Sequence, residues 1–423
     1  MISEKMKPFM ANNSAIRAMF EEGKRMAAVY GRENVYDFSL GNPNVPVPQV
    51  TEAILDVVKN EDFMTLHGYM SNAGYEDVRQ TIAESLNKRF GTNFSFKNLI
   101  MTVGAASGLN IILKSILNPG DEVIVFAPYF VEYNAYVRNY DGNVVVISPD
   151  TETFMPKLDE FEAKITAKTK AVIINNPNNP TGAVYPKETL LKLVDIAREF
   201  GLIIFADEVY DKILYEDAKH IAIASLSTDV LTITFNSLSK AYRACGYRAG
   251  WMIISGNKLP ARDFIEGLNM LANMKLCANV PGQWAIQTAL GGYQSINDLV
   301  CEGGRLRVQR DLAWELLTQI PGVTCVKPQG SLYMFPRLDP KIYPIENDRQ
   351  FFKELLEATR VLLVQGTGFN WPHPDHFRVV FLPHEPQLRE AISRIAEYLA
   401  AWRAAHPVKE DPATPRKKEG AAE

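Results

Sequence analysis

The chain is poor in the residues that cross-link, ligate or anchor. Its four cysteines, Cys245, Cys277, Cys301 and Cys325, lie far apart with no C-x-x-C pair. That pattern argues against a zinc site or a disulfide scaffold and fits a reducing compartment. No apolar run approaches the roughly 20 residues of a membrane helix, and Glu4, Lys5 and Lys7 stand where a signal peptide needs its apolar stretch. Without such a signal, the sequons Asn12-Asn13-Ser14 and Asn93-Phe94-Ser95 are chance matches, and a cytoplasmic protein is expected. Basic blocks are also missing. The net charge is −4, and the one basic cluster, Arg416-Lys417-Lys418, is short and diluted by acids, so neither nucleic acid nor membrane is expected as a partner. Histidine is scarce. His373, His376 and His384 fall in one stretch, but Pro372, Pro374 and Pro383 make it a loop, and no cysteine or carboxylate pair completes a metal-ligand set.

What is present is a chain of 423 residues, longer than one typical core, so two domains are expected. Ser14 can cap a helix with Ile16, Met19, Phe20 and Met26 at helical spacing. A proline-rich loop spans Gly41 to Pro48, and helical patterns cover Val50–Lys59 and Gly74–Phe90. From Ile100 the order becomes regular. Strand-like runs at Ile100–Val103, Val123–Ala127, Val144–Ser148, Ala171–Asn175, Leu202–Ala206, Leu231–Phe235 and Trp251–Ser255 are interleaved with helical ones at Ala106–Leu117 and Lys187–Phe200. Such alternation implies an α/β fold with a mainly parallel sheet. The last third is mixed: helical patterns at Gly304–Ile320 and Glu385–Arg403 flank short strand-like pieces at Val323–Val326, Ser331–Phe335, Leu362–Gln365 and Phe377–Phe381. The expected division is an N-terminal arm (1–48) joining a small α+β domain (296–405), a large domain (49–295), and a polar, disordered tail (406–423).

In an open parallel sheet, ligands bind beyond the carboxyl ends of the strands. Four motifs fall at such ends. Ile100–Val103 ends at Gly104-Ala105-Ala106, where small residues open a helix and leave N–H groups free for an anion. Ala171–Asn175 runs into the Asn-Pro cluster 176–182, Leu202–Ala206 into Asp207-Glu208-Val209-Tyr210, and Leu231–Phe235 into Ser237-Leu238-Ser239-Lys240, with Arg248 close behind. Together they offer an amide, a carboxylate, a phenol, a phosphate-ready helix terminus and a lysine suited to Schiff-base formation and proton transfer.

N-N-P-N-N-P-T-G, A-D-E-V-Y and S-L-S-K with Arg248 resemble the signature series of the class I/II, fold-type I pyridoxal-phosphate aminotransferases, over roughly Val35 to Arg403. The resemblance implies a seven-stranded, mainly parallel sheet between helices, and it implies roles. Lys240 would form the internal aldimine with pyridoxal 5′-phosphate. Asp207 would pair with the pyridine nitrogen, Asn179 and Tyr210 would bond the phenolic oxygen, and Phe130 would stack on the ring. Arg248, Ser237, Ser239 and the backbone at Gly104, Ala105 and Ala106 would hold the phosphate. Tyr69 would reach the phosphate of a neighbouring subunit, making a homodimer with composite sites. Arg378, helped by Gly41 and Asn179, would clamp the α-carboxylate of small amino-acid and 2-oxo-acid substrates. One departure from the family pattern is Ala105-Ala106, where many relatives carry a hydroxyl or a lysine.

Three functions use this frame: a transaminase for a small L-amino acid with 2-oxoglutarate, a lyase, decarboxylase or cyclase on the same lysine, or a cofactor-sensing regulator. The last needs a basic helix-turn-helix ahead of residue 50, where only one short helix is read. The C-terminal half (GGRLRVQRDLAWELL, GSLYMFP) is most similar to alanine aminotransferases, and the first part (DFSLGNPNVPVP, GYMSNAGYEDVR) to a branch often labelled aspartate aminotransferase. Alanine is the expected donor and aspartate the alternative.

Overall fold

A computed structural model describes residues 2–7 and 15–407; the Ser14 cap, the Asn12 sequon and the tail after residue 407 lie outside the described residues. The helices used below are α1 (Ala15–Tyr30), α2 (Pro48–Asn60), α3 (Phe63–His67), α4 (Glu76–Phe90), α5 (Ala105–Leu113), α6 (Glu132–Arg138), α7 (Leu158–Ala163), α8 (Lys187–Phe200), α9 (Arg262–Met274), α10 (Val280–Gly291), α11 (Ile296–Val300), α12 (Arg305–Thr318), α13 (Asp348–Thr359) and α14 (Glu385–Ala405). The central sheet contains β2 (Leu99–Thr102), β3 (Glu122–Phe126), β4 (Asn143–Ile147), β5 (Thr169–Asn175), β6 (Ile203–Asp207), β7 (Thr232–Ser237) and β8 (Gly250–Ser255), while β1 (Tyr36–Asp37) lies outside it.

These seven strands form one sheet in the order β2-β8-β7-β6-β5-β3-β4. All neighbours are parallel except β8, which runs antiparallel to both β7 and β2. Apart from the edge strand β4, which is only partly buried, the strands are buried on both faces and accordingly read as continuous apolar runs. Side chains alternate between two cores: Val123, Val125, Ile173 and Phe205 enter one, and Ile124, Phe126, Val172, Ile174 and Ile204 the other, as the two-residue period of a strand requires. Helix α8 buries Leu190, Leu193, Val194 and Ala197 and stops at Gly201, in the left-handed region at φ 66°, as its amphipathic spacing foretells.

The remaining strands are short: β9 (Val323–Thr324), β10 (Tyr333–Met334), β11 (Arg337–Leu338), β12 (Val361–Leu362), β13 (Val364–Gln365) and β14 (Phe377–Val380). The expected strand Leu362–Gln365 is split, because β12 pairs with β1 while β13 pairs with β14. The expected Ser331–Phe335 keeps ladder bonds only at Tyr333 and Met334. Helix α5 ends at Leu113, short of the expected Leu117. Met19 and Met26 of α1 pack on Leu356 and Leu362, so the N-terminal helix is covered by the C-terminal elements. The sequence pattern assigned no element to residues 262–300, which form α9, α10 and α11; α10 packs on α2 and α4.

Arg310 of α12 has no exposed side-chain surface. It bonds Glu216 at 2.8 Å, Asp311 at 2.6 Å and the Pro328 carbonyl at 3.0 Å, and its guanidinium lies 4.5 Å from the Tyr215 ring centroid. Glu216 and Asp311 are partly solvated, so truncation costs mainly the void and the orphaned carbonyl. Arg310→Ala is expected to lower stability by about 2–4 kcal/mol, read from the urea midpoint at constant cofactor loading; an unchanged midpoint contradicts this.

Candidate active site

The carboxyl ends of β5, β6 and β7 lie side by side, which puts Asn175, Asp207 and Ser237 at one edge of the sheet. Register pairing sets Asn175 against Asp207 and Ser237 against Gly250. Asp207 is itself the last residue of β6, where the sequence pattern ended the strand at Ala206. The residues around this edge enclose a cavity of about 420 Å³. Its walls include Gly41, Ala105, Ala106, Phe130, Asn179, Asp207, Tyr210, Ser237, Ser239, Lys240, Arg248 and Arg378. A larger hollow, about 870 Å³, opens between α1 and β1 but gathers none of the motif residues.

Asp207 is buried, and loss of water pushes its carboxyl up to about 6. Tyr133 of α6 donates to its Oδ2 at 2.6 Å, while Oδ1 is buried without any partner. Asn175 locks the backbone here: its amide donates to the Asp207 carbonyl at 2.9 Å and its oxygen accepts from the Asn179 N–H at 2.7 Å. Lys240 donates to the Gly41 carbonyl at 2.6 Å, with Nζ 6.0 Å from the Tyr210 ring centroid.

The phosphate-ready end is built from two chain segments. Gly104 precedes α5 at φ 80°, and a Cβ there would come within 2.2 Å of the Arg248 guanidinium. Only glycine therefore allows the first N–H groups of α5 and the arginine to share one space. Arg248 donates to the Cys245 carbonyl at 2.7 Å and the Val103 carbonyl at 3.1 Å. The Ser237 hydroxyl accepts from the Ser239 N–H at 3.2 Å.

Arg378, on β14, is buried at the opposite wall. It donates to Asn179 Oδ1 at 3.0 Å and to the Ser39 carbonyl, and its Nε has no partner. The Phe369 and Tyr333 rings flank it at 4.5 and 4.7 Å. Tyr69 is the one motif residue set apart: it is 85% exposed and lines no part of the cavity. Sequence reasoning missed Tyr133, Asn175 and Tyr333. The aromatic run Tyr129-Phe130…Tyr133…Tyr136 straight after β3 was a usable signal for the first; Tyr333 carried none.

The chain matches the aminotransferase class I and II family over residues 32–395. It belongs to that family. It is 45% identical over 388 residues to the glutamate-pyruvate aminotransferase AlaA of Escherichia coli, covering 91% of this chain and 94% of that one. It is 46% identical over 374 residues to an alanine aminotransferase of Mycobacterium tuberculosis, covering 87% and 86%. Among solved structures, an Escherichia coli aminotransferase superposes with a TM-score of 0.89 at 43% identity, covering 95% of this chain and 98% of that one. The similarity to these relatives therefore runs through both halves of the chain.

This aminotransferase is a pyridoxal-phosphate enzyme, as its family is, and the cavity fits that group. The orphaned Asp207 Oδ1 can accept from a protonated ring nitrogen, and the space kept open by Gly104 offers an anion the N–H groups of α5 and the Arg248 guanidinium. Without a cation beside it, the raised Asp207 carboxyl destabilises the fold. That cost is absent below the unfolded value of 3.8, where the carboxyl is neutral in both states, and is fully present once pH has risen through about 6. Asp207→Asn is accordingly expected to raise the melting temperature of the cofactor-free enzyme by a few degrees at pH 7.5 but not at pH 4, while weakening cofactor retention. An equal effect at both pH values would contradict this.

Proposed function

We propose that this aminotransferase moves the amino group of L-alanine to 2-oxoglutarate in two half-reactions. The observation that carries the reading is the meeting of Lys240, the half-satisfied Asp207 and the buried fork of Arg378 around one cavity. The names of relatives at 45–46% identity, glutamate-pyruvate and alanine aminotransferase, support alanine as the donor.

When bound, pyridoxal phosphate supplies a carbonyl that takes up the amino group and a ring that stores the electrons of the broken Cα–H bond. Lys240 would hold it covalently, Phe130 would cover the ring, Asp207 would pair with its nitrogen, and Asn179 and Tyr210 would bond its phenolic oxygen. Gly104, Ala105, Ala106, Ser237, Ser239 and Arg248 hold the phosphate; with no side-chain donor at 105 and 106, the backbone carries more of that load. Arg378, whose planar fork matches a carboxylate, binds the α-carboxylate beside Gly41 and Asn179 and so aims the Cα–H bond at Lys240. Once the substrate's amino group has displaced it, the freed Lys240 Nζ would take the Cα proton and carry it onward. Asp207 stays ionised opposite a positive nitrogen, because that charge offsets the burial that otherwise raises it.

We also propose a homodimer. Tyr69 is exposed, as are the apolar side chains of Leu55, Phe63, Met64 and Met274, and its loop is tied to α9 by the Asn72–Asn273 bond at 3.1 Å. Exposed apolar side chains of this size suit burial against a second copy. The division into arm (1–48), large domain (49–295) and small domain (296–405) is supported by the β1–β12 pairing and the α1 packing. A cytoplasmic location is supported by four free cysteines. No helix among the described residues is long and apolar enough to cross a membrane.

Mixing holoenzyme with L-alanine alone is expected to yield pyruvate and the pyridoxamine form without ammonia or carbon dioxide. Lys240→Ala should slow this by about 10³-fold or more. Ammonia released in step with pyruvate would mark a lyase, and a higher kcat/KM for aspartate would replace the donor. Mixed Tyr69→Ala and Lys240→Ala subunits are expected to recover activity through hybrid dimers carrying one intact site. No recovery after demonstrated subunit exchange would confine Tyr69 to its own chain.

A further inference from the structure

Tyr333 belongs to none of the motifs that nominate the site, yet it touches three residues that they do nominate. It lies on β10, paired with Val380 of β14, so the strand that carries Arg378 also fixes Tyr333. Its hydroxyl is 2.9 Å from that of Tyr210, and the two rings meet edge to face at 5.6 Å. The Arg378 guanidinium sits 4.7 Å from its ring centroid. A Cβ on Gly41 would come within 1.9 Å of its hydroxyl oxygen, so the Gly41 backbone rests on the same phenol. Tyr333 is buried and lines the cavity.

Each phenol has one hydrogen to donate. If Tyr210 spends its own on Tyr333, it has none for a group in the cavity. If Tyr333 donates, the Tyr210 hydrogen is free to point inward, and accepting one bond makes Tyr210 a better donor of the other. Burial, the largest cause, holds the Tyr210 phenol well above its ordinary value, so it keeps that hydrogen. The titratable and charged groups facing Tyr210 are Tyr333, Asp207, Arg378, Lys240 and Tyr133. The same Tyr333 ring presents its electron-rich face to Arg378, which restrains the plane of the guanidinium.

We propose that Tyr333 is a positioning residue of this reaction: it donates to Tyr210 so that Tyr210 donates into the cavity, and it holds the Arg378 fork against its ring. This rests on the reading of Tyr210 and Arg378 given above. A residue in the turn after β6, serving the cofactor, and one on β14, serving the carboxylate, are thereby set by a single side chain.

The test uses holoenzyme and two readouts that need no turnover. The first is the pH midpoint of the visible absorbance of bound pyridoxal phosphate. The second is the affinity for propionate, an unreactive carboxylate. Tyr333→Phe removes only the oxygen; the midpoint is expected to rise by about one pH unit, because a weaker donor at the phenolic oxygen leaves the nearby nitrogen more basic. Its propionate affinity should stay that of wild type. Tyr333→Leu removes the ring as well and should weaken propionate binding roughly three- to tenfold. An unchanged midpoint in Tyr333→Phe, or an unchanged propionate affinity in folded Tyr333→Leu, overturns the proposal. If Tyr333→Leu does not fold, by circular dichroism, the Tyr333→Phe midpoint decides alone. A wild-type enzyme with no pH-dependent absorbance, or with propionate binding indifferent to Arg378→Ala, would instead overturn the functional reading beneath it.

Discussion

A carboxylate out of water with one oxygen left open is the constraint around which this molecule is arranged. Burying an ionised carboxyl is costly unless a cation or donors replace its hydration. Oδ2 of Asp207 accepts from Tyr133, and Oδ1 is left without a partner. The free apoprotein meets this by a raised pKa; in the proposed holoenzyme a positive ring nitrogen would meet it. The need for that cation and the need for an electron sink are thus the same physical fact. The backbone lock through Asn175 and the burial of β5, β6 and β7 on both faces keep the open oxygen aimed at one place.

The segment from Ser39 to Asn44 joins the two poles of the site. Its carbonyls accept from Lys240 and Arg378, and its side chains meet Cys245 at 3.0 Å and Arg305 at 2.9 Å. Glycine at position 41 is dictated from outside the segment, by the Tyr333 phenol pressed against it. The loop is therefore read by the central sheet on one side and by the β13–β14–β10 sheet on the other. In the proposed reading a substrate carboxylate arriving at Arg378 would trade against an interaction already present, and its binding would reflect a difference between two bonds.

The central sheet was legible because its period was simple. Runs of β-branched and apolar residues, separated by helical spacing and glycine or proline stops, placed all seven strands to within a residue or two. The last third was less legible. Two-residue strands such as β12 and β13 have no period to detect, and their partners are chosen by tertiary packing. The helices over residues 262–300 went unread: α10, for one, is wedged against two other helices and has no single apolar face to betray it.

Within the site, residues at motif positions could be named from the chain alone, because strand ends in a parallel sheet converge and the motifs sit at those ends. Lys240, Asp207, Tyr210 and Arg248 were nominated this way, while the role of Asn179 within its Asn-Pro cluster and the reaction class came from the resemblance of these motifs to the class I/II aminotransferases. Distance along the chain hides the rest. Tyr133 lies 74 residues from Asp207 and Tyr333 lies 123 from Tyr210, and a tyrosine reads alike whether it fills a core or donates a proton. Which phenol faces which oxygen, and which glycine yields room to which arginine, is set only when the sheets pack.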